Sequence, residues 1–423
     1  MTYEEALAYL QSSAGVKLGL SRVRELTERL GCPQEVPHVL HIAGTNGKGS
    51  VGAMLSGILT AAGYRTGHFS TPALLTPCDM FRINTQTVSE AHFARALTQV
   101  RAQAEHMADA PTEFELLAAC AYHLFADCRF AVVECCMGGD TDCTNVIDAP
   151  CLSIITGIAL DHCAYLGAHA EEIAFHKAGI LKPGCQALVN DTCMSPGVLA
   201  VIRERARAIG APLHTVSTCT GTGEAPTLDG TVYRFDGKEY RLSLPGAYQI
   251  RNADTVLHAV SLLRTQGIVI PEEAVQEGLS QITWPGRFEV LHRTPDILFD
   301  GAHNPDGILQ LRESLVQVFG PAAKAVLVAG VMADKDYAAY PELLHAQTDC
   351  VFTVTPDNPR ALPADALART FRACSIPAAA CKGVPQAVRC ALERAEVQHL
   401  PVLGMGSLYL YRDFCEAVSG LLL

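Results

Sequence analysis

The densest chemistry in the chain lies in HIAGTNGKGSV, residues 41–51. Gly44, Gly47 and Gly49 let a backbone come close to phosphate oxygens. Lys48 supplies a positive charge for the β- and γ-phosphates of a nucleotide, and Ser50 a hydroxyl, while Thr45 and Asn46 complete the turn. An apolar run precedes the segment and a helix-length periodic run follows it, so a helix N-terminus would add its partial positive charge. The spacing G-x-x-x-x-G-K-[ST] is not strictly met, because Gly49 separates Lys48 from Ser50. A structural turn alone does not require strand, glycines, lysine, hydroxyl and helix in that order, whereas a phosphate loop does.

Other residues acquire meaning from where they fall. Glu134 ends the apolar run FAVVE (130–134), and a strand-end carboxylate on the edge that carries the phosphate loop is placed to hold Mg²⁺. From position alone it is equally a surface carboxylate capping a strand. His162, in GIALDH, follows another apolar run, and a lone histidine is more often structural than a ligand. Lys177, on EEIAFHKAGIL, would ordinarily be a solvated helix lysine. Asp300 and His303, in DGAHNP (300–305), are polar residues at a strand-to-helix turn.

These positions need a scaffold, and the patterning describes one. VLHIA (39–43), Arg65–Phe69, FAVVE and LSIIT (152–156) read as strands, with helices over Val51–Ala62, Ser89–Glu105, Thr112–Phe125 and His169–Ile180. Thr112 and Glu115 have the form of a capping box. The alternation predicts an α/β fold with a mainly parallel sheet covered on both faces. TVYRF and EYRLSL, around Asp236-Gly237, form a hairpin expected on the rim of the first domain. Helices resume over Tyr248–Arg264 and Glu272–Gln281. Trp284-Pro285-Gly286-Arg287 breaks the periodicity, so the domains are expected at 1–286 and 287–423. The second has strands at ILFD (297–300), AVLVAGV (325–331), CVFTV (350–354) and PVLG (401–404).

Composition narrows the class. The 423 residues exceed one ordinary core, and 49% hydrophobic against 18% charged residues excludes a disordered chain. The net charge of −12 argues against a nucleic-acid or phospholipid partner. Mean hydropathy is +0.18, yet no run of 18 apolar residues suggests a membrane span. MTYEEALAYL lacks the pattern of a signal peptide. The 17 cysteines are scattered, odd in number and without a C-x-x-C pair, which points to buried thiols in a reducing cytoplasm.

AGTNGKGS resembles the phosphate loop of the Mur ligase superfamily, and its GKGS ending is similar to the folylpolyglutamate synthase/dihydrofolate synthase branch, as is KLGLSRVRELTERLG (17–31). ECCMGGDTDCTNV (134–146) resembles the signature E-x-G-x-G-G-R-x-D-A-T-N, LDHCAYLG (160–167) a segment with a metal-binding histidine, and FSTP (69–72) an S-P turn with a liganding hydroxyl. The resemblance therefore makes Thr71, Glu134 and His162 ligands of Mg²⁺, with Ser50 nearby. AFHKAGI resembles the segment whose lysine is carbamylated, so Lys177 would serve a second ion. LPGAYQIRNADTVLHAV (244–260) is similar to G-x-H-Q-x-x-N-A, with Tyr248 where histidine is usual, and implies an adenine contact for Asn252. WPGRFE (284–289) resembles W-x-G-R-x-E, whose arginine, here Arg287, reaches the ATP phosphates. DGAHNP implies a ribose contact for Asp300 and a place near the catalytic cleft for His303. DKD (334–336) and GSLYL (406–410) extend the likeness over nearly the whole chain.

What the resemblance implies is a P-loop NTPase-like N-terminal domain, a smaller Rossmann-like C-terminal domain, and an ATP- and Mg²⁺-dependent ligase joining L-glutamate to a folate-type carboxylate. Thr112, Phe114, Glu115, Thr141, Asp142, Cys143 and Ser407 are its expected substrate contacts, and a cytoplasmic monomer its expected form. Two loops depart from the pattern: R-F-N-E-R-I becomes Thr76–Phe81, and G-G-R-L-D becomes Gly138-Gly139-Asp140-Thr141-Asp142. Cations are lost from loops assigned to the acceptor, with Arg82 the nearest compensating cation. A sister ligase acting on another carboxylate, or a nucleotide-binding regulator without turnover, remains open. Arginine at position 140 is expected to tighten folate binding.

Overall fold

In the computed structural model, which describes residues 1–217 and 221–422, the chain divides into two compact units. The first comprises Met1–Thr220 and Arg251–Ile282, and the second Gly221–Ile250 and Thr283–Leu423.

The first unit is built on a sheet of β1 (His38–Ala43), β2 (Thr66–Phe69), β3 (Phe81–Ile83), β4 (Gln86–Thr87), β5 (Phe130–Glu134), β6 (Leu152–Ile155), β7 (Ala187–Asn190) and β8 (Leu213–Val216). Their order is β4-β3-β2-β5-β1-β6-β7-β8, parallel except for the β2–β3 and β3–β4 pairs. HVLHIA and FAVVE are near-continuous apolar runs because both faces of a central parallel strand are covered. Ile42 lies opposite Glu134, and Ala43 opposite Ile155. The ends of β5, β1 and β6 thus reach one sheet edge where the chain order reverses, the usual place for a ligand in an open α/β sheet.

The helix expected from Val51 begins earlier, at Lys48, because Gly47 takes the left-handed conformation (φ 88°) that turns the strand exit into a helix start. Residues Gly49 to Leu59 of this helix are all buried, so it is a core helix rather than an amphipathic cover. It lies against the helix Glu272–Ser280 at two glycines. A Cβ on Gly57 would stand 3.1 Å from the Gly278 carbonyl, and one on Gly278 only 2.5 Å from the backbone nitrogen of Ile58. Overpacking costs about 1–3 kcal/mol, against roughly 1 kcal/mol gained by alanine over glycine within a helix. Backbone cannot yield as a side chain does, so Gly278→Ala is expected to lower stability. Urea unfolding with an unchanged midpoint would refute this packing argument.

The second unit holds β9 (Thr222–Gly223), β10 (Thr231–Phe235) and β11 (Lys238–Leu242) in a three-stranded antiparallel sheet. The hairpin turn is Asp236-Gly237, both at positive φ, the geometry that matches the twist of the flanking strands. This hairpin, expected on the rim of the first domain, belongs instead to the second unit. The larger sheet contains β12 (Glu289–His292), β13 (Ile297–Asp300), β14 (Ala325–Ala329), β15 (Thr348–Thr353), β16 (Ala378–Ala380) and β17 (Val402–Met405). Its order is β12-β13-β17-β14-β15-β16, parallel apart from β12. Both units are therefore α/β with mainly parallel main sheets. The patterning did not reveal β7, β8 or the helix Pro196–Ile209 between them, since a four-residue apolar run carries little periodicity.

Candidate active site

The phosphate loop is held open by contacts to the end of β6 and the turn beyond it. Thr45 N donates to the Gly157 carbonyl at 2.7 Å, its hydroxyl donates to the Ala159 carbonyl at 3.0 Å, and Ala159 N donates back to that hydroxyl at 3.0 Å. The Thr156 hydroxyl donates to the Asn46 carbonyl at 2.7 Å. Gly44 must be glycine, because a Cβ there would lie 2.0 Å from the Thr156 hydroxyl oxygen. Asn252 closes over the loop from the helix Tyr248–Thr265: a Cβ on Gly47 would sit 2.6 Å from its Oδ1. Thr156 was missed in the sequence, where only its place at the end of a strand beside β1 marked it.

Lys48 and Glu134 meet here. The Lys48 ammonium donates to the Thr45 carbonyl at 3.1 Å and stands 3.7 Å from the Glu134 carboxylate, which is buried at the end of β5. The Cys136 thiol belongs to the same cluster. Burial first, then Asp142, pushes it up to about 12, while the Thr71 hydroxyl and Lys48 act the other way and Glu134 adds a small upward push. Thr71 thus hydrogen-bonds the Cys136 thiol, which Lys48 and Glu134 reach by charge, and Ser50 is buried in the first turn of the helix that starts at Lys48.

Lys177, expected on an ordinary solvated helix unless modified, is 4% exposed. Its Nζ donates to the Gly44 carbonyl at 2.7 Å. Burial, and then the charge of Lys48, push the amine down to about 7, with Cys135, Asp161 and Asp142 opposing. Asp161, itself buried, is a further acid of this region that the sequence did not single out. It holds His162, whose backbone N donates to its Oδ1 at 2.8 Å and whose Nε2 is 3.9 Å from its Oδ2. His162 sits at φ 53°, a strained conformation for a non-glycine residue that turns the chain into the short helix Cys163–Leu166.

The residues expected at the acceptor are deeply engaged by the protein. The Glu115 carboxylate receives Arg22 Nε at 3.0 and 3.1 Å and the Thr112 backbone N and hydroxyl at 2.8 and 2.9 Å, which completes the capping box of the helix Glu113–Phe125. Phe114 is half-buried, its ring centroid 6.1 Å from that of Phe69, and its carbonyl accepts from Cys143 Sγ at 3.6 Å. Asp142 is buried and accepts from Met137 N, Thr144 N and the Thr144 hydroxyl at 2.7, 3.0 and 2.6 Å. Burial raises its pKa and these bonds oppose the rise. Thr141 is half-buried, and its N donates to Asp140 Oδ1 at 2.9 Å. Arg82, half-buried on β3, donates to the Asp79 carbonyl at 2.9 Å.

In the second unit, Asp300 ends β13 with its carboxylate buried. Oδ2 accepts from the Tyr248 hydroxyl at 2.7 Å and from Phe288 N at 2.9 Å, and Oδ1 from Ala302 N at 2.8 Å. Burial raises its pKa, opposed first by Arg287. Arg287 donates to the Gly286 carbonyl at 3.0 Å, and His303 Nδ1 lies 2.8 Å from the Gly301 carbonyl. Ser407 is buried and caps a short helical turn by accepting from Tyr409 N at 3.2 Å.

Comparison with known proteins gives this arrangement a family. The family Mur ligase, glutamate ligase domain matches residues 286–408. The chain is 33% identical over 374 residues to the dihydrofolate synthase/folylpolyglutamate synthase of Bacillus subtilis, covering 85% of this chain and 86% of that one. A Mycobacterium tuberculosis folylpolyglutamate synthase complexed with ADP and AMPPCP is similar with a TM-score of 0.87 at 28% identity, over 99% and 98% of the two chains. A bifunctional folylpolyglutamate synthase/dihydrofolate synthase from Yersinia pestis, complexed with AMPPNP and Mn ion, has a TM-score of 0.83 at 29% identity, over 100% and 98%. Overall likeness and the residues around Lys48 point the same way: the chain belongs to the folylpolyglutamate synthase/dihydrofolate synthase family of Mur ligases.

Proposed function

We propose that the chain is an ADP-forming acid–amino-acid ligase that joins the amine of L-glutamate to the carboxylate of a folate-type pterin, either dihydropteroate or a tetrahydrofolate polyglutamate. The observation that carries this reading is the phosphate loop, with Lys48 3.7 Å from Glu134 and Lys177 bonded to Gly44. A pterin carboxylate oxygen attacks the γ-phosphorus of ATP, the bond to the β–γ bridging oxygen breaks, and ADP leaves. The glutamate amine then attacks the acyl carbon of the resulting acyl phosphate. Phosphate departs with the bonding electron pair, the amine gives up a proton, and an amide remains. Lys48 and the backbone amides at the start of its helix neutralise charge as the phosphoryl group moves. On motif likeness the reading assigns Arg287 to the phosphates, Asn252 to adenine, Asp300 to ribose and His303 to the catalytic cleft. Within it the enzyme is a cytoplasmic monomer acting on small molecules; among the described residues no helix is long and apolar enough to cross a membrane.

A divalent cation, when bound, supplies further charge neutralisation at the transferred phosphoryl group. Thr71, Glu134 and His162 would hold it, with Ser50 nearby. Mg²⁺ is usually bound by one or two carboxylates together with phosphate oxygens and water, rather than by a full protein cage. Glu134, buried at the end of β5 with Lys48 3.7 Å away, is the carboxylate of that set. Lys177, as its carbamate, would face a second ion. Carbamate forms from the neutral amine, and at a pKa of about 7 the neutral fraction grows as pH rises through 7, far below the 10.5 of a free lysine. The intact mass in bicarbonate is expected to gain one carbamyl group, more fully at pH 8 than at pH 6. An unmodified mass at both would remove Lys177 from this role.

The ligase reading is tested by ADP release that requires both a pterin carboxylate and L-glutamate. If every pterin fails while another carboxylate supports release, the chain is a sister ligase. ATP binding without turnover on any carboxylate would make it a nucleotide-binding regulator.

A further inference from the structure

Asp140 stands where the family pattern has arginine, in a loop assigned to the acceptor. Its side chain faces His176. Both carboxylate oxygens lie 3.0 Å from His176 Nδ1, and Asp140 N donates to the His176 carbonyl at 2.9 Å. His176 immediately precedes Lys177 in the last turn of the helix Ala170–Lys177. The neighbouring residues of the loop grip the same turn. A Cβ on Gly139 would stand 2.7 Å from the His176 carbonyl oxygen and 2.9 Å from that of Lys177. Gly179 passes so close beneath Asp140 that a Cβ there would lie 2.5 Å from the Asp140 Cα, and Asn145 Nδ2 donates to the Gly179 carbonyl at 3.1 Å. A continuous path of contacts therefore runs from the loop through residues 176–179 to Lys177, and from its amine to the Gly44 carbonyl of the phosphate loop.

We propose that Asp140 and His176 are a positioning pair that docks the loop Gly138–Asn145 onto the helix end carrying Lys177, so that the exchange of cation for anion at position 140 serves this pairing and not the choice of acceptor. The proposal rests on the ligase reading for the task of Lys177. It needs no particular charge on the imidazole, since a neutral Nδ1–H donates to a carboxylate as a protonated one does. A partly exposed pair of this kind contributes modestly to stability, enough for its coupling to be read in unfolding midpoints but not enough to hold the fold. Its weight lies in geometry, because a reacting group displaced by about 1 Å can lose on the order of a hundredfold in rate.

The two explanations for Asp140 predict opposite results. In the pairing account, Asp140→Arg sets a cation against His176 and lowers kcat about tenfold or more, with KM for the pterin carboxylate within about twofold of the unaltered chain. Exchanging the partners, Asp140→Arg with His176→Glu, returns kcat to within about threefold, because an arginine faces a carboxylate again. Asp140→Asn, which keeps shape and an acceptor oxygen, falls between the two. If Asp140→Arg instead lowers KM for the pterin and the second substitution makes no difference to kcat, position 140 selects the acceptor and the pairing account is wrong. Thermal unfolding of the unaltered chain, Asp140→Arg, His176→Glu and the double substitution reads the coupling of positions 140 and 176 without turnover. Additive midpoint changes also overturn the pair. Failure of the unaltered chain to form ADP counts against the ligase reading alone.

Discussion

Lys48→Ala is expected to lower kcat by about a hundred- to a thousandfold, the usual cost of removing one preorganised charge-stabilising group from a transition state. The Lys48 ammonium is fixed by the Thr45 carbonyl at 3.1 Å and by Glu134 at 3.7 Å, so its position costs no reorganisation when the phosphoryl group moves. Its loss removes a cation and also leaves the Glu134 carboxylate facing the incoming phosphates, which compounds the effect. The fold should persist. Alanine is a strong helix former, and residues Gly49 to Leu59 keep their burial. ADP formation under single turnover, with a thermal melt in parallel, decides the matter. Turnover like that of the unaltered chain would remove the phosphate loop from the mechanism.

Glu134→Gln keeps the shape of the side chain and deletes its charge. The Mg²⁺ concentration for half-maximal activity is expected to rise by at least about ten- to a hundredfold, the loss usual even for groups that only support a metal ligand. Structure should be preserved, because Glu134 is buried at the end of β5 and an amide is less costly to bury than a carboxylate. An unchanged Mg²⁺ profile would show that the carboxylate serves Lys48 alone. Together the two substitutions separate the roles: the first acts on turnover at saturating Mg²⁺, and the second is partly relieved by more of it.

A good part of this enzyme is legible in its residues alone, wherever the determinant is local. Apolar runs of strand length, the glycine-lysine turn of 44–50 and the capping box at Thr112–Glu115 act within a few residues of themselves; the structure has β1, β5 and the box where the patterning put them, and the helix after the turn starting a little earlier, at Lys48. The Asp236-Gly237 turn was readable for the same reason, since positive φ is a property of those two residues. Motif likeness carried the family further, because a signature records contacts already made in relatives.

Tertiary structure decided what depends on residues far apart in the chain. Nothing near Lys177 shows that its amine is bonded to Gly44 and pushed down to about 7, because that bond and the neighbouring charge of Lys48 come from the phosphate loop and its helix, more than a hundred positions away. Glu115 reads as a helix cap, and only the fold brings Arg22 to its other face. The hairpin at Asp236-Gly237 is specified locally, but which unit it joins depends on the surfaces it meets. Asp140 shows the limit most sharply. Its charge is visible in the sequence as a departure from a pattern, whereas its partner, His176, lies on another element, and only packing of the loop against that helix end brings the two within 3.0 Å. Short-range patterning fixes the kind of element; long-range packing fixes which side chains face each other, and with them the charge state and position of the groups that react.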